Sequence, residues 1–468
     1  MNETRLLADF LSALTFDDLP ADVVETAKLC VLDTTAAALS ARDFPWTRMV
    51  TDTAAEAAGA GECTVWGSDV RCSAQQAALV NGTAANGIEM ADRVPGASVH
   101  PGTHVVPAAL AVAEQAQLTG RELLTSVVAG YELGIRIGYC SQFLRTGLHQ
   151  SGHKGVWCSV GAAGNALRLD PAQMRSAMGI AGSMAAGIVE FSNDDEGNMV
   201  KRLHAGFAGH HGVLAARLAR HGVTGPKTVL EGQFGYLNTF IADGHRPRTA
   251  ELTRDLGSAF RILEREVKPY AAWGGSHVAI DAAGQLIERG VDATDITELR
   301  IGGSSRVIDE QHLHPAPTST MAAQYSLPFL TALALYRTPA ALMDPQGIWT
   351  TETITDTAVL ALAAAAQTYV DPELDRRAVA DTRHGGVHYG GVRISVTLTD
   401  GSVHDAVVHH SKGTVGNPIG RADVQEKFRR LARRALPQRQ IDDVIAMIAD
   451  LDNVDQVSRL TAALARSG

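Results

Sequence analysis

Five ionisable side chains, Glu89, Asp92, Arg93, His100 and His104, fall within sixteen residues of this 468-residue chain. They lie in the stretch NGIEMADRVPGASVHPGTHVVP, which runs from Asn86 to Pro107. An apolar helical pattern stops at Gly87 and another starts after Pro101. His100-Pro101 reads as a helix start, because proline suits the first helical position and pushes the residue before it out of the helical region. His104 then sits one turn in, on the face of His100, beside free backbone N–H groups that favour an anion. Imidazoles and carboxylates grouped in this way are the parts of an acid/base site for a carboxylate substrate. The same spacing also fits a polar loop with two solvated histidines.

Two further stretches and one junction add ionisable groups. His153 lies in SGHKGVWCSVGAAGNAL, whose small residues suit backbone close to a ligand or to another helix. The segment MVKRLHAGFAGHHG puts Lys201 and His204 three apart on one helix face, as a solvated basic run also would. Lys268, in VKPYAAWGGSH, stands before a proline at a change of character in the chain, where a lysine can point into a cleft or into solvent. Other chemistries find no support. No GxGxxG follows a strand, Gly-Pro-Lys-Thr at 225–228 lacks the leading glycine of a phosphate loop, and there is no GxSxG elbow. The 17 histidines include His100/His104, His204/His210/His211 and His409/His410, yet no HExxH occurs and the first pair lacks a third ligand, so no catalytic metal is expected.

The elements that must position these groups follow from composition and periodicity. A chain of this length suggests two or three domains. Hydrophobic content is 45%, aromatic content only 5%, and glycine and alanine are plentiful, which predicts closely approaching helices. A net charge of −10 without a basic stripe argues against nucleic acid, so an anion site needs a local cationic pocket. The five cysteines, never spaced CxxC, read as buried free thiols. With no signal pattern at the start and no long apolar run, a soluble, cytoplasmic protein is expected. Helical periodicity dominates up to residue 267. From 268 to 412 strands with period two (296–301, 392–398 and 403–408, the last two around Asp400-Gly401) lie among helices. From 413 to 468 the helical pattern returns. The predicted fold is a two-domain one: an all-α helical domain built from both chain ends, 1–267 and 413–468, with an inserted α+β lid domain, 268–412, and a site in the cleft between them.

The chain resembles the MmgE/PrpD family, which includes 2-methylcitrate dehydratase, cis-aconitate decarboxylase and iminodisuccinate epimerase. The likeness covers nearly the whole length. It rests on NGTAANGIEMAD, HPGTHVVPAALA, the small-residue segment after His153, VKRLHAGFAGHHGVLAARLA, VKPYAAWGGSHVAID, AAQYSLPF and KGTVGNPIGRADVQEKFRRLA. The resemblance implies a homodimer that uses no metal or organic cofactor and acts on a small di- or tricarboxylic acid. It puts the acid-base histidine at His104 with His100 beside it, an acidic partner at Glu89 or Asp92, and a second histidine at His153. The anion-binding lysine falls at Lys201, with His204 nearby, and the junction lysine at Lys268; Tyr325 is the nearest candidate for the family's tyrosine but is read as core. Where members typically have DFDDT or ELDDVH, this chain has EMADRV, so one acid is Ala91 and Arg93 adds a cation. The leading expectation is a lyase of the hydro-lyase (dehydratase) type working by proton abstraction next to a carboxylate. An epimerase (isomerase) or a decarboxylase on the same scaffold is the alternative, and a catalytically inactive carboxylate-binding relative is the reading from another class.

Overall fold

The computed structural model describes residues 2–56, 61–193, 198–382 and 389–466. Among the described residues nine α-helices come first: α1 Glu3–Ala13, α2 Ala21–Ala41, α3 Pro45–Glu56, α4 Ala74–Ala85, α5 Pro101–Gln115, α6 Gly120–Cys140, α7 Gln150–Ala166, α8 Pro171–Gly182 and α9 Val200–Arg220. A two-stranded ribbon, β1 Cys63–Thr64 with β2 Arg71–Cys72, lies between α3 and α4. Helix α5 is the centre of this assembly. Its residues from Pro101 to Glu114 are buried, and α2, α4, α6, α7 and α9 all pack against it.

Starts and stops follow local chemistry. Thr119 and Glu122 close a capping box on α6, and Asp170 with Gln173 does the same on α8, as those spacings predict. Small residues let the helices close up: a Cβ on Gly155 of α7 would fall 2.4 Å from the His104 ring of α5. The five cysteines are buried and unbridged.

The second part of the chain carries a four-stranded sheet of order β4-β3-β5-β6, formed by β3 Ile296–Gly303, β4 Gln367–Val370, β5 Val392–Leu398 and β6 Val403–Val408. β3 runs parallel to β4 and antiparallel to β5, and β5 pairs antiparallel with β6. Gly401, at φ +82°, supplies the left-handed turn residue that links β5 to β6. Periodicity does not mark β4, whose four residues begin one residue after the helix Thr357–Ala365. Helix His277–Glu288 packs on β5 and β6.

After the sheet the chain returns to the helices. The helix Arg421–Ala432 packs on α2, and Ser458–Leu464 packs on α5 and β1. The Lys427 ammonium crosses that junction to Asp33 of α2 (2.6 Å) and to the Met90 carbonyl (2.8 Å). Among the described residues, no helix is long and apolar enough to cross a membrane.

Candidate active site

A cavity of about 250 Å³ opens where the 86–100 loop, the starts of α7 and α9, and the 268–274 segment meet. Glu89, Arg93, His100, Lys201 and Lys268 line it, together with His149, Ser151, Trp273, Tyr325 and Tyr389. The loop is held in unusual backbone: Glu89 has φ +58° and Ser98 φ +50°. Side chains other than glycine, asparagine and aspartate seldom adopt such values, and they persist where the surroundings enforce them.

The Glu89 carboxylate is enclosed by cations. Its Oε1 lies 2.7 Å from Lys201 Nζ and 2.7 Å from Arg202 Nη1, and its Oε2 lies 3.4 Å from Lys268 Nζ. Burial alone would raise its pKa, but Lys201, Lys268 and Arg202 outweigh it and hold Glu89 well below the usual carboxylate range. Burial, partly offset by Glu89 and reinforced by Arg93 and Lys201, lowers Lys268 to about 7. Three cations share this one carboxylate, so the wall carries spare positive charge for an anion. Tyr325 extends that wall, with its hydroxyl against Lys201 Nζ.

Two histidines face the cavity from helix N-caps, and their hydrogen bonds fix their tautomers. His100 Nδ1 lies 2.8 Å from the Asp92 carbonyl, which can only accept, so Nδ1 carries the proton and Nε2 keeps the lone pair. His149 Nδ1 lies 3.3 Å from the Gly152 N–H, which can only donate, and 2.8 Å from His204 Nδ1. In the neutral ring His149 therefore holds its proton on Nε2. Burial, then Lys268, lowers His100 to about 4, so the empty site keeps it neutral.

The structure separates the histidines expected to act. His104 is buried behind His100 and does not line the cavity; its Nε2 lies 3.1 Å from the Ser151 hydroxyl, which also accepts the His100 N–H at 3.4 Å. Burial, then His100, lowers it to about 3. His100 and His104 do not share a helix face, because His100 has N-cap backbone (φ −109°, ψ 76°). His153 lies one turn into α7, against the Phe240 ring at 4.9 Å and away from the cavity. His204 stands behind His149, with Phe191 edge-on to both rings.

Asp92 is buried too. It accepts from Gly102 N–H at 2.9 Å and from the Tyr131 hydroxyl, and burial raises it to about 6. Its side chain thus fastens the start of α5 while its carbonyl orients His100. Tyr325, read from sequence as core, is a wall residue instead. His149, Ser151, Trp273 and Tyr389 were missed. Only His149 left a signal, as a histidine just before the Gln-Ser-Gly that opens α7. Among the described residues no three His, Cys, Asp or Glu side chains come together as a metal-ligand set.

Comparison with known proteins adds a second kind of finding. The MmgE/PrpD N-terminal domain matches residues 5–248 and the MmgE/PrpD C-terminal domain matches residues 270–453. The cis-aconitate decarboxylase-like protein oryM of Aspergillus oryzae is 27% identical over 99% of this chain and 97% of its own. Cis-aconitate decarboxylase of Aspergillus terreus is 27% identical over 98% of this chain and 95% of its own. The human cis-aconitate decarboxylase is 26% identical over 86% of this chain and 82% of its own.

Proposed function

The chain belongs to the MmgE/PrpD family, and we propose from that premise that it is a carboxy-lyase acting on a small unsaturated tricarboxylate of the cis-aconitate type, without metal or organic cofactor. One observation carries the reading: His100, its tautomer set by the Asp92 carbonyl, shares a cavity wall with Lys201 and Lys268. The curated relatives favour loss of carbon dioxide over loss of water.

The chemistry needs little more. In such a substrate one carboxylate sits on a carbon next to a C=C, and the far alkene carbon bears a second carboxylate. When the first C–C bond breaks, its electron pair forms a new double bond and carbon dioxide leaves. The old π pair moves to the far carbon and into its carboxylate, giving a dianionic enediolate. Lys201, Lys268 and the N–H groups at the start of α5 can stabilise that charge. One proton then adds to the far carbon. His100 supplies it, because a bound polyanion opposes the effect of Lys268 and favours imidazolium. The balance is substrate trianion plus one proton giving product dianion plus carbon dioxide.

A dehydratase is the second reading, favoured by the opposite tautomers of His100 and His149. The lone pair of the first can take a C–H proton while the Nε2–H of the second assists departing hydroxide. Proton NMR in deuterated buffer on a panel of di- and tricarboxylates, after dialysis against a strong chelator, separates the two. Carbon dioxide release with one deuterium in the product supports the carboxy-lyase. Hydroxy-acid dehydration alone supports the second reading, and activity restored only by a divalent ion overturns both.

A further inference from the structure

We infer that Arg93 is the specificity-determining cation of this site, holding the one substrate carboxylate that takes no part in the bond changes and so selecting tricarboxylates over dicarboxylates. The inference rests on reading the cavity as a polycarboxylate site.

Arg93 lines the cavity with Trp273, Gly274 and Tyr389 and pairs with Glu266, apart from the ion pairs that join Glu89 to Lys201 and Lys268. Glu266 fixes it twice over. Nε and Nη2 of Arg93 donate to Glu266 Oε2 at 2.9 and 2.8 Å, and the two main chains bridge, N to O, at 2.9 and 2.7 Å. The guanidinium plane is therefore set before any ligand arrives. Its carbon stands 5.5 Å from the Tyr389 ring centroid, a further contact that suits a cation.

The remaining edge, Nη1, faces Gly274. A Cβ there would fall 1.8 Å from Nη1, so glycine is what lets the guanidinium occupy this wall. An arginine buried only for structure needs its partner carboxylate but not a place in a cavity lining. This one has both, with Tyr389 as a second neighbour, and a planar guanidinium is the side chain best shaped to take a carboxylate.

The division of labour follows from charge. Lys268, Glu89 and Lys201 act on His100, and Arg93 acts on Lys268. The lysines serve the carboxylates whose charge changes during reaction. The third, on the central carbon, has the same charge throughout, and a fixed arginine suits a group that must be held rather than stabilised as it develops.

Two saturated compounds isolate that group: propane-1,2,3-tricarboxylate and glutarate, which differ by the central carboxylate. Titration calorimetry on the full-length protein needs no turnover. Wild type is expected to bind the tricarboxylate more tightly by on the order of 10- to 100-fold, the range for a hydrogen bond to a charged group. Removing Arg93 alone strands buried Glu266, so the variant is the double one, Arg93→Gln with Glu266→Gln. It should bind both compounds about equally, with the loss confined to the tricarboxylate. Gly274→Ala, whose Cβ would push the guanidinium off its place, should reduce the preference in the same direction. A double variant with wild-type melting temperature and an unchanged preference would overturn the inference, as would an equal loss for both compounds. Wild type binding neither compound would instead remove the polycarboxylate reading, and the role of Arg93 with it.

Discussion

Lys268 sets the limit on the alkaline side of this site. In the empty cavity its ammonium is lowered to about 7 by burial, with Arg93 and Lys201 adding to the effect. An anion binds the charged form, so affinity is full below about pH 7. Above it, each pH unit costs up to about tenfold until the higher pKa of the complex is reached. The inhibition constant of propane-1,2,3-tricarboxylate, measured from pH 6 to 9, should therefore rise with pH. A constant that falls with pH would mean that Lys268 does not meet the anion. His100 titrates lower, at about 4, and stays neutral across that range in the free protein. The residue types were legible in the sequence, but their facing was not. His100 and His149 are both N-cap residues with a second histidine one turn on, at His104 and His153. In each pair the cap residue lines the cavity and the helical one is buried and does not line it. Spacing rules for a helix face apply only to residues inside the helix, and neither cap residue is.

At the scale of elements, the site hangs on helix starts that the returning chain braces from behind. Lys427, on the helix Arg421–Ala432, reaches both Asp33 of α2 and the carbonyl of Met90, next to Glu89. Both side chains of the ion pair are buried, so removing one leaves a charge without its counterion. Lys427→Met should cost about 3–5 kcal/mol, read as a lower melting temperature and denaturant midpoint. Adding Asp33→Asn should recover part of it; no recovery would mean that the ion pair is not the cause. The start of α5 was readable because its signal is local, a proline at the first position. The brace was not, since 394 residues separate Lys427 from Asp33. No local pattern marks a lysine as the partner of so distant an acid. β4 escaped for a related reason: four residues give too few alternations to stand out from the helix before them.

For the whole molecule we propose the division read from periodicity, 1–267 with 413–468 around an inserted 268–412, and a homodimer as the assembly. The family's C-terminal domain match runs through residue 453, across the second of those boundaries. A chain ended at 412 would uncover the face of α2 that the helix Arg421–Ala432 occupies and leave Asp33 unpaired. It should lose the cooperative melt of the full chain, and a retained melting temperature would contradict the division. The chain carries a net charge of −10, so the cations of one cavity must draw an anion against the field of the rest. The proposed reaction turns on one proton, assigned in that proposal to His100 and added to the carbon that receives the electron pair. The direct test is steady-state turnover of cis-aconitate by His100→Gln beside His104→Gln, each with its melting temperature. Removing a general acid typically costs about 10²–10⁴-fold, so His100→Gln should lose kcat in that range with its melting temperature kept. His104→Gln, at a position that does not line the cavity and bonds to Ser151, should lose less. A folded His100→Gln protein with near-normal kcat, or a larger loss at His104, would contradict the assignment of the proton to His100.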